Sequence, residues 1–166
     1  LRSVFIKQAD TLQGFYIFEE DFSMEEHKTN FDFYEPKTVH ESSLSPCVHC
    51  ILASKLGYEE KAYEMYLRTS RLDLDDYNHE AHEGLHITSM GGTYMAIVEG
   101  FAGMRVRNGQ LHFNTMLPSK WESFSFKTLF RGRLLKILVQ KNKVKIGLIS
   151  GDNLVIMVND KVLEIN

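Results

Sequence analysis

The sequence predicts an α+β fold, with helices first and an antiparallel β module second. Three observations predict it. Apolar residues recur at helical spacing through residues 1–104, and from residue 105 onward they alternate with polar ones. In the second part the turn signals "SGDN" and "ND" separate the apolar runs. Neither part contains an internal repeat or a low-complexity tract.

The elements follow in order. "SVFIKQADTLQGFYIFEE" reads as helical throughout, and "MEEHKTNFDFY" as a short helix ended near Pro36. Leu44, Val48, Ile51 and Leu52 form a helical stripe that stops at Gly57. Ala62, Tyr63, Tyr66 and Leu67 form another, opened by Glu59 and Glu60 and closed by Arg68 and Arg71, as the helix dipole favours. Ile87, Met90, Tyr94, Ile97, Val98 and Phe101 form the cleanest stripe. Next, "NTMLPSKWES" reads as the connection into the sheet. Leu111 and Phe113 alternate with polar neighbours, as do Phe124 and Phe126. "RLLKILV" is apolar on both faces and reads as a central strand. "KVKIGLI", "NLVIMV" and "KVLEI" follow, split by "SGDN" and "ND".

The totals exclude several classes. The 166 residues are 43% hydrophobic, enough to bury a core. A net charge of -3 lacks the basic face of a nucleic-acid binder. No apolar run reaches the roughly 18 residues of a membrane span, and no signal peptide is visible. Two cysteines make no disulfide framework, which points to a reducing compartment, the cytoplasm. The chain opens at Leu1 in mid-pattern, as a fragment or excised domain would.

Five stretches could carry chemistry. "CVHC" places Cys47, His49 and Cys50 together, but no second C-x-x-C completes a zinc set; buried helix cysteines are the better reading. "HEAHEGLH" holds His79, His82 and His86, with Gly84 marking a loop; solvated histidines are the better reading for the first two. "TVHESSLSP" sets His40, Glu41, Ser42, Ser43 and Ser45 before a helix, where capping accounts for one serine only. "HITSMGGT" opens a helix with small polar residues. Unpaired N–H groups there can hold an anion, with His86, Ser89, Gly91 and Gly92 close by. Capping, or glycines that let helices pack tightly, accounts for the pattern equally well. Lastly, Lys7 and Gln8 could donate to sugar hydroxyls or a carboxylate, or form a solvated pair on a helix.

Together these stretches resemble one family. "KQAD", "YEPKTVHESSLSPCVH", "YLRTSRLDLDDYN" and the long run from "EGLHITSMGG" through "LPSKW" to "FRGRLLKILV" are similar, in order, to the C-terminal part of glycoside hydrolase family 65. That family holds the maltose, kojibiose, nigerose and trehalose phosphorylases, and the wording is most like its maltose phosphorylases. The resemblance implies that residues 1–104 are the last helices of an (α/α)6 catalytic barrel and residues 105–166 a small β-sandwich-like module. It implies inverting phosphorolysis of an α-glucosidic bond, giving β-glucose 1-phosphate and a free sugar. It assigns His86, Ser89, Gly91 and Gly92 to phosphate, Lys7 and Gln8 to the glucosyl unit, and Glu41 with the serines after it to the pocket wall. The general acid Glu of the family lies upstream of these residues, so the piece alone should be inactive and contains no catalytic residue. No metal or cofactor is implied; phosphate is a substrate, the disaccharide is the other partner, and the parent is a homodimer. Two alternatives stay open. A family hydrolase would activate water with a base in place of phosphate. A non-catalytic carbohydrate-binding module would stack sugars on exposed aromatics of the second part, whose one Trp, Trp121, sits in the connection.

Overall fold

A computed structural model describes residues 4–76 and 79–166. Ser3, together with Tyr77 and Asn78 of "YLRTSRLDLDDYN", lies outside the described residues. The chain divides into two compact units, Leu1–Gly100 and Phe101–Asn166.

In the first unit the described residues form α1 (Asp10–Ile17), α2 (Met24–Tyr34), α3 (Ser45–Lys55), α4 (Glu59–Ser70) and α5 (Ile87–Met95). A π-helical turn, Ala96–Phe101, continues α5. The first helix begins seven residues later than the pattern predicts, and Lys7 and Gln8 precede it in a bend of the chain. The reason lies in the backbone hydrogen bonds of residues 6 and 7. The Ile6 amide donates to Lys37 O, the Val39 amide to Ile6 O and the Glu41 amide to Lys7 O. A strand-like bridge between Ile6 and Thr38 therefore replaces the first helical turn.

Local chemistry explains the helix ends. Ser23 and Glu26 form a capping box at α2: the Glu26 amide donates to Ser23 Oγ, and the Ser23 amide to Glu26 Oε2. Pro36 follows in a 3₁₀ turn, as expected. At the end of α3, Gly57 adopts φ 74°. Its amide donates to Ser54 O and that of Tyr58 to Ala53 O, the paired bonds of a Schellman stop.

The helix faces depart from the predicted stripes in an informative way. α3 is buried all round from Ser45 to Ser54 and forms the centre of the unit, while Leu44 stays half exposed ahead of it. α4 buries Ala62, Met65 and Thr69 rather than its tyrosines. Of the stripe predicted here, Val98 and Phe101 are buried, but Ile87, Met90 and Tyr94, the part on α5, are exposed. The face turned inward is instead Ser89, Gly92 and Ala96, continued by Gly100. A Cβ on Gly92 would lie 2.9 Å from Cys47 Cβ, and one on Gly100 3.5 Å from Cys50 Sγ. Small residues let the α5 backbone approach α3 more closely than a Met or Ile would permit, and that contact decides which face is buried.

The second unit holds two sheets, β1-β2-β6-β7 and β3-β4-β5. Their strands are β1 (Arg105–Arg107), β2 (Gln110–Phe113), β3 (Ser123–Phe130), β4 (Arg133–Gln140), β5 (Lys143–Ser150), β6 (Leu154–Val158) and β7 (Lys161–Ile165). β4 is the central strand of its sheet, as "RLLKILV" predicts, with Leu135, Ile137 and Val139 buried. Both sheets share one core, in which those residues meet Leu111, Phe113, Ile156 and Ile165. Phe124, Phe126 and Phe130 pack against it. Two-residue turns at Asn108-Gly109, Arg131-Gly132 and Asn159-Asp160 have positive φ at both positions, the geometry that suits a right-twisted hairpin. The expected all-antiparallel module needs one correction: β2 and β6 pair in parallel, through His112 with Met157 and Phe113 with Val158. The whole second sheet lies between these strands in sequence, so the chain has the length a parallel return requires.

Candidate functional site

The bend before α1, the loop before α3 and the start of α5 meet at one cavity of about 450 Å³. Its lining includes Lys7, Gln8, Glu41 and His86, four predicted residues from three distant stretches. Ser42, Ser43, Asp10 and Glu80 complete it. A second cavity of about 590 Å³ shares Gln8 and Asp10 with the first and is lined by Thr88, Gly91, Gly92 and Met95 of α5. Its wall is more apolar, with Leu44, Cys47 and Val48 from the α3 side.

The loop 40–43 is held from beneath. His40 has φ 55°, a left-handed backbone uncommon for a residue other than glycine. Its ring is buried, with Nδ1 2.9 Å from Ser45 Oγ and the His49 ring centroid 4.4 Å away. Arg68 of α4 donates to the His40 carbonyl at 3.2 Å. Burial, with the charges of Arg68 and Lys61 nearby, lowers the His40 pKa to about 3, so the ring is neutral. The helix start at α3 lacks the side-chain cap that its serines predict. Ser45 serves His40 instead, Ser42 Oγ accepts from the Leu44 amide, and Ser43 Oγ lies 2.9 Å from Thr88 Oγ1.

At the start of α5 the predicted residues separate. His86 precedes the first helical residue and lines the first cavity. Asp73 grips it, accepting from the His86 amide at 2.9 Å and meeting Nδ1 at 2.5 Å. Glu80 Oε2 stands 3.5 Å from Nε2 on the other edge. Hydrogen bonding to Asp73 raises the His86 pKa and lowers that of Asp73. Ser89 turns inward: it is 2% exposed, and its hydroxyl donates to Thr69 O at 2.7 Å. Gly92 is packed against Cys47 and Thr69, whereas Gly91 faces open space. The structure thus brings Lys7, Gln8, Glu41 and His86 to one cavity, places Gly91 and Gly92 on the adjoining one, and commits the Ser89 hydroxyl to helix packing.

The remaining histidines and cysteines behave as structural parts. Cys47 and Cys50 are buried free thiols whose pKa values burial raises. His79 and His82 are solvated, with side chains 92% and 77% exposed. Among the described residues no cluster of His, Cys, Asp or Glu can hold a metal ion, and no helix is long and apolar enough to cross a membrane. Sequence reasoning passed over Asp73, Glu80, Asp10 and Thr88. Thr88 lies inside "HITSMGGT", and Asp73 lies in "YLRTSRLDLDDYN" beyond Arg71, the residue that closes the predicted helix, where the stretch carries no further periodic signal.

Residues 1–95 match the glycosyl hydrolase family 65 central catalytic domain, and residues 104–165 the glycosyl hydrolase family 65 C-terminal domain. The chain is 57% identical to maltose phosphorylase of Bacillus subtilis (strain 168) and 43% identical to alpha,alpha-trehalose phosphorylase of Thermoanaerobacter brockii; each match covers 93% of this chain and 20% of the relative. A solved structure of a human-microbiome protein assigned as a kojibiose phosphorylase superposes with TM-score 0.92 at 40% identity, covering 97% of this chain and 24% of that one. The chain therefore spans about a fifth of the length of the curated relatives it matches. With both parts matched in order, the chain belongs to glycosyl hydrolase family 65.

Proposed function

We propose that this chain is the C-terminal part of an inverting disaccharide phosphorylase, with maltose as the favoured substrate. In this reading residues 1–104 are the last helices of an (α/α)6 barrel and residues 105–166 a β-sandwich-like module. The parent works as a homodimer. The exposed apolar stripe of α5, Ile87, Met90 and Tyr94, supports the first point, because it is a face that further helices would cover.

The observation that carries the activity is the cavity where Lys7, Gln8, Glu41 and His86 converge. A glucosyl unit needs donors and acceptors around its hydroxyls, which Lys7, Gln8 and Glu41 supply. Phosphate needs a cation or strong donors beside the ring, and His86 supplies those, with the Ser43 and Thr88 hydroxyls nearby. Gly91 leaves the helix surface open to an anion. Ser89 and Gly92 contribute by fixing the first two turns of α5 against α3 and α4. An inverting phosphorylase holds phosphate on the face of the sugar opposite the departing oxygen, so its attack needs no general base. The proton for the leaving oxygen comes from a carboxylic acid outside these residues.

The test supplies the full-length protein with maltose, trehalose, kojibiose and nigerose, with and without phosphate, and follows β-glucose 1-phosphate. Phosphate-dependent product, strongest with maltose and lost in His86→Ala, is the expected result. Glucose release indifferent to phosphate would overturn the reading in favour of hydrolysis. A protein that binds sugar without turning it over would identify a carbohydrate-binding role.

A further inference from the structure

Asp73 lines neither of the two cavities described above, yet it holds the one histidine among their lining residues by two contacts. Its Oδ2 accepts from the His86 backbone amide, and its Oδ1 meets Nδ1. The pair is largely shielded, with side chains 14% and 25% exposed. A carboxylate can only accept, so Nδ1 carries the proton shared with Asp73. If the ring were neutral, Nε2 would then be a bare acceptor, and a phosphate oxygen would meet a lone pair. Only the protonated ring donates from Nε2 toward the cavity.

The surrounding charges favour that form. Asp73 and Glu80 stand on the two edges of the ring. Asp10 and Glu41 line the same cavity, against the single cation Lys7. The first turns of α3 and α5 bring no charged side chain. The raised His86 pKa, caused first by the Asp73 hydrogen bond, agrees with this arrangement.

We infer that Asp73 is a positioning residue that keeps His86 an imidazolium with Nε2–H directed at the bound phosphate. This rests on the phosphate site proposed above. The carboxylate itself stays away from the anion. It orients a donor, in the way an outer carboxylate fixes the tautomer of a metal-bound histidine.

The experiment measures KM for phosphate against pH in the full-length protein, its Asp73→Asn and Asp73→Glu variants, and His86→Ala. Asparagine keeps an oxygen for the His86 amide, and its NH2 then donates to Nδ1, so a neutral ring keeps Nε2–H and the variant removes the imidazolium charge alone; a melting curve of each variant checks the fold. Asp73→Asn should raise KM for phosphate about tenfold at neutral pH. It should also move the pH at which KM turns upward about one unit lower or more. Phosphate ionises identically in all assays, so this displacement belongs to the protein. kcat at saturating phosphate should change far less, and Asp73→Glu should recover part of the loss. A KM–pH curve for Asp73→Asn that superposes on the parent's, while His86→Ala loses phosphate dependence, overturns the role of Asp73 and leaves the phosphate site standing. A His86→Ala variant with unaltered KM for phosphate overturns both.

Discussion

The backbone amide of Glu41 donates to the carbonyl of Lys7 at 3.2 Å, joining two candidate sugar-binding residues that lie 34 positions apart. The neighbouring bridge between Ile6 and Thr38 makes this a short stretch of paired chain. Lys7, Gln8 and Glu41 thus share one rigid frame and should act as a unit. Lys7→Met and Glu41→Gln should each raise the KM for disaccharide, and the double variant should raise it by less than the product of the two. Steady-state kinetics on the four proteins of the cycle measure this coupling. Independent effects would show that the frame does not transmit the change.

Two adjacent glycines should respond in opposite ways. A Cβ at Gly92 would meet Cys47 Cβ at 2.9 Å and Thr69 Cγ2 at 3.2 Å, so Gly92→Ala must push α5 away from α3 and α4. A loss of about 1–3 kcal/mol is expected. At Gly91 a Cβ meets nothing within 4 Å, so Gly91→Ala should leave stability unchanged or raise it by up to about 1 kcal/mol. Its cost should appear in KM for phosphate instead. Urea unfolding beside phosphate kinetics separates the two.

Ser89 and His86 should part along the same line. The Ser89 hydroxyl is buried and donates to Thr69 O, so Ser89→Ala should lower stability by about 1 kcal/mol. Its effect on phosphate KM should be smaller than that of His86→Ala. The reverse ranking would make Ser89 the principal phosphate ligand.

In the proposed phosphate site Glu80 competes with the anion for the His86 Nε2 donor. Its carboxylate stands 3.5 Å from His86 Nε2 and is partly exposed. At a pH where Asp73 keeps His86 protonated without Glu80, Glu80→Gln should therefore lower KM for phosphate by about two- to fivefold at low salt, and the gain should shrink as salt screens the pair. A higher KM in Glu80→Gln would make Glu80 part of the site rather than a competitor.

The buried pair His40 and His49 predicts a pH dependence of the opposite sign to that of His86. Burial holds both rings neutral, with the pKa of His40 at about 3. The unfolded chain takes up these protons below about 6.5 and the folded chain does not. Stability should thus fall as pH drops from there, for His40 toward 3 and by up to about 1.4 kcal/mol per unit, with His49 adding a loss of the same sign. For His86 the folded value is raised, so its pairing stabilises at low pH and is lost as pH rises through that value. His40→Asn, which tolerates the left-handed backbone, should flatten the acid slope in urea unfolding measured from pH 8 to 5.

Much of this protein was legible in its sequence. The switch from helical to alternating periodicity, the stop at Gly57, the central place of "RLLKILV" and the buried state of Cys47 and Cys50 all follow from neighbours within a few residues. Lys7, Gln8, Glu41 and His86 stood out because their stretches resemble a family, and also because each is more polar than its position in the pattern requires. What only the tertiary structure decided is pairing. The first helix begins late because residues 37–41 take the hydrogen bonds of residues 6 and 7. Periodicity pointed to Ile87, Met90 and Tyr94 as the packed face of α5. The buried face is Ser89, Gly92 and Ala96, because close approach to Cys47 and Thr69 requires small side chains. Asp73 gave no local signal at all, since a carboxylate 13 residues from its histidine acquires a role only when the fold closes the distance to 2.5 Å. Local spacing determined which segments could form helices and strands; contacts between distant segments decided which of their faces are buried and which charges meet.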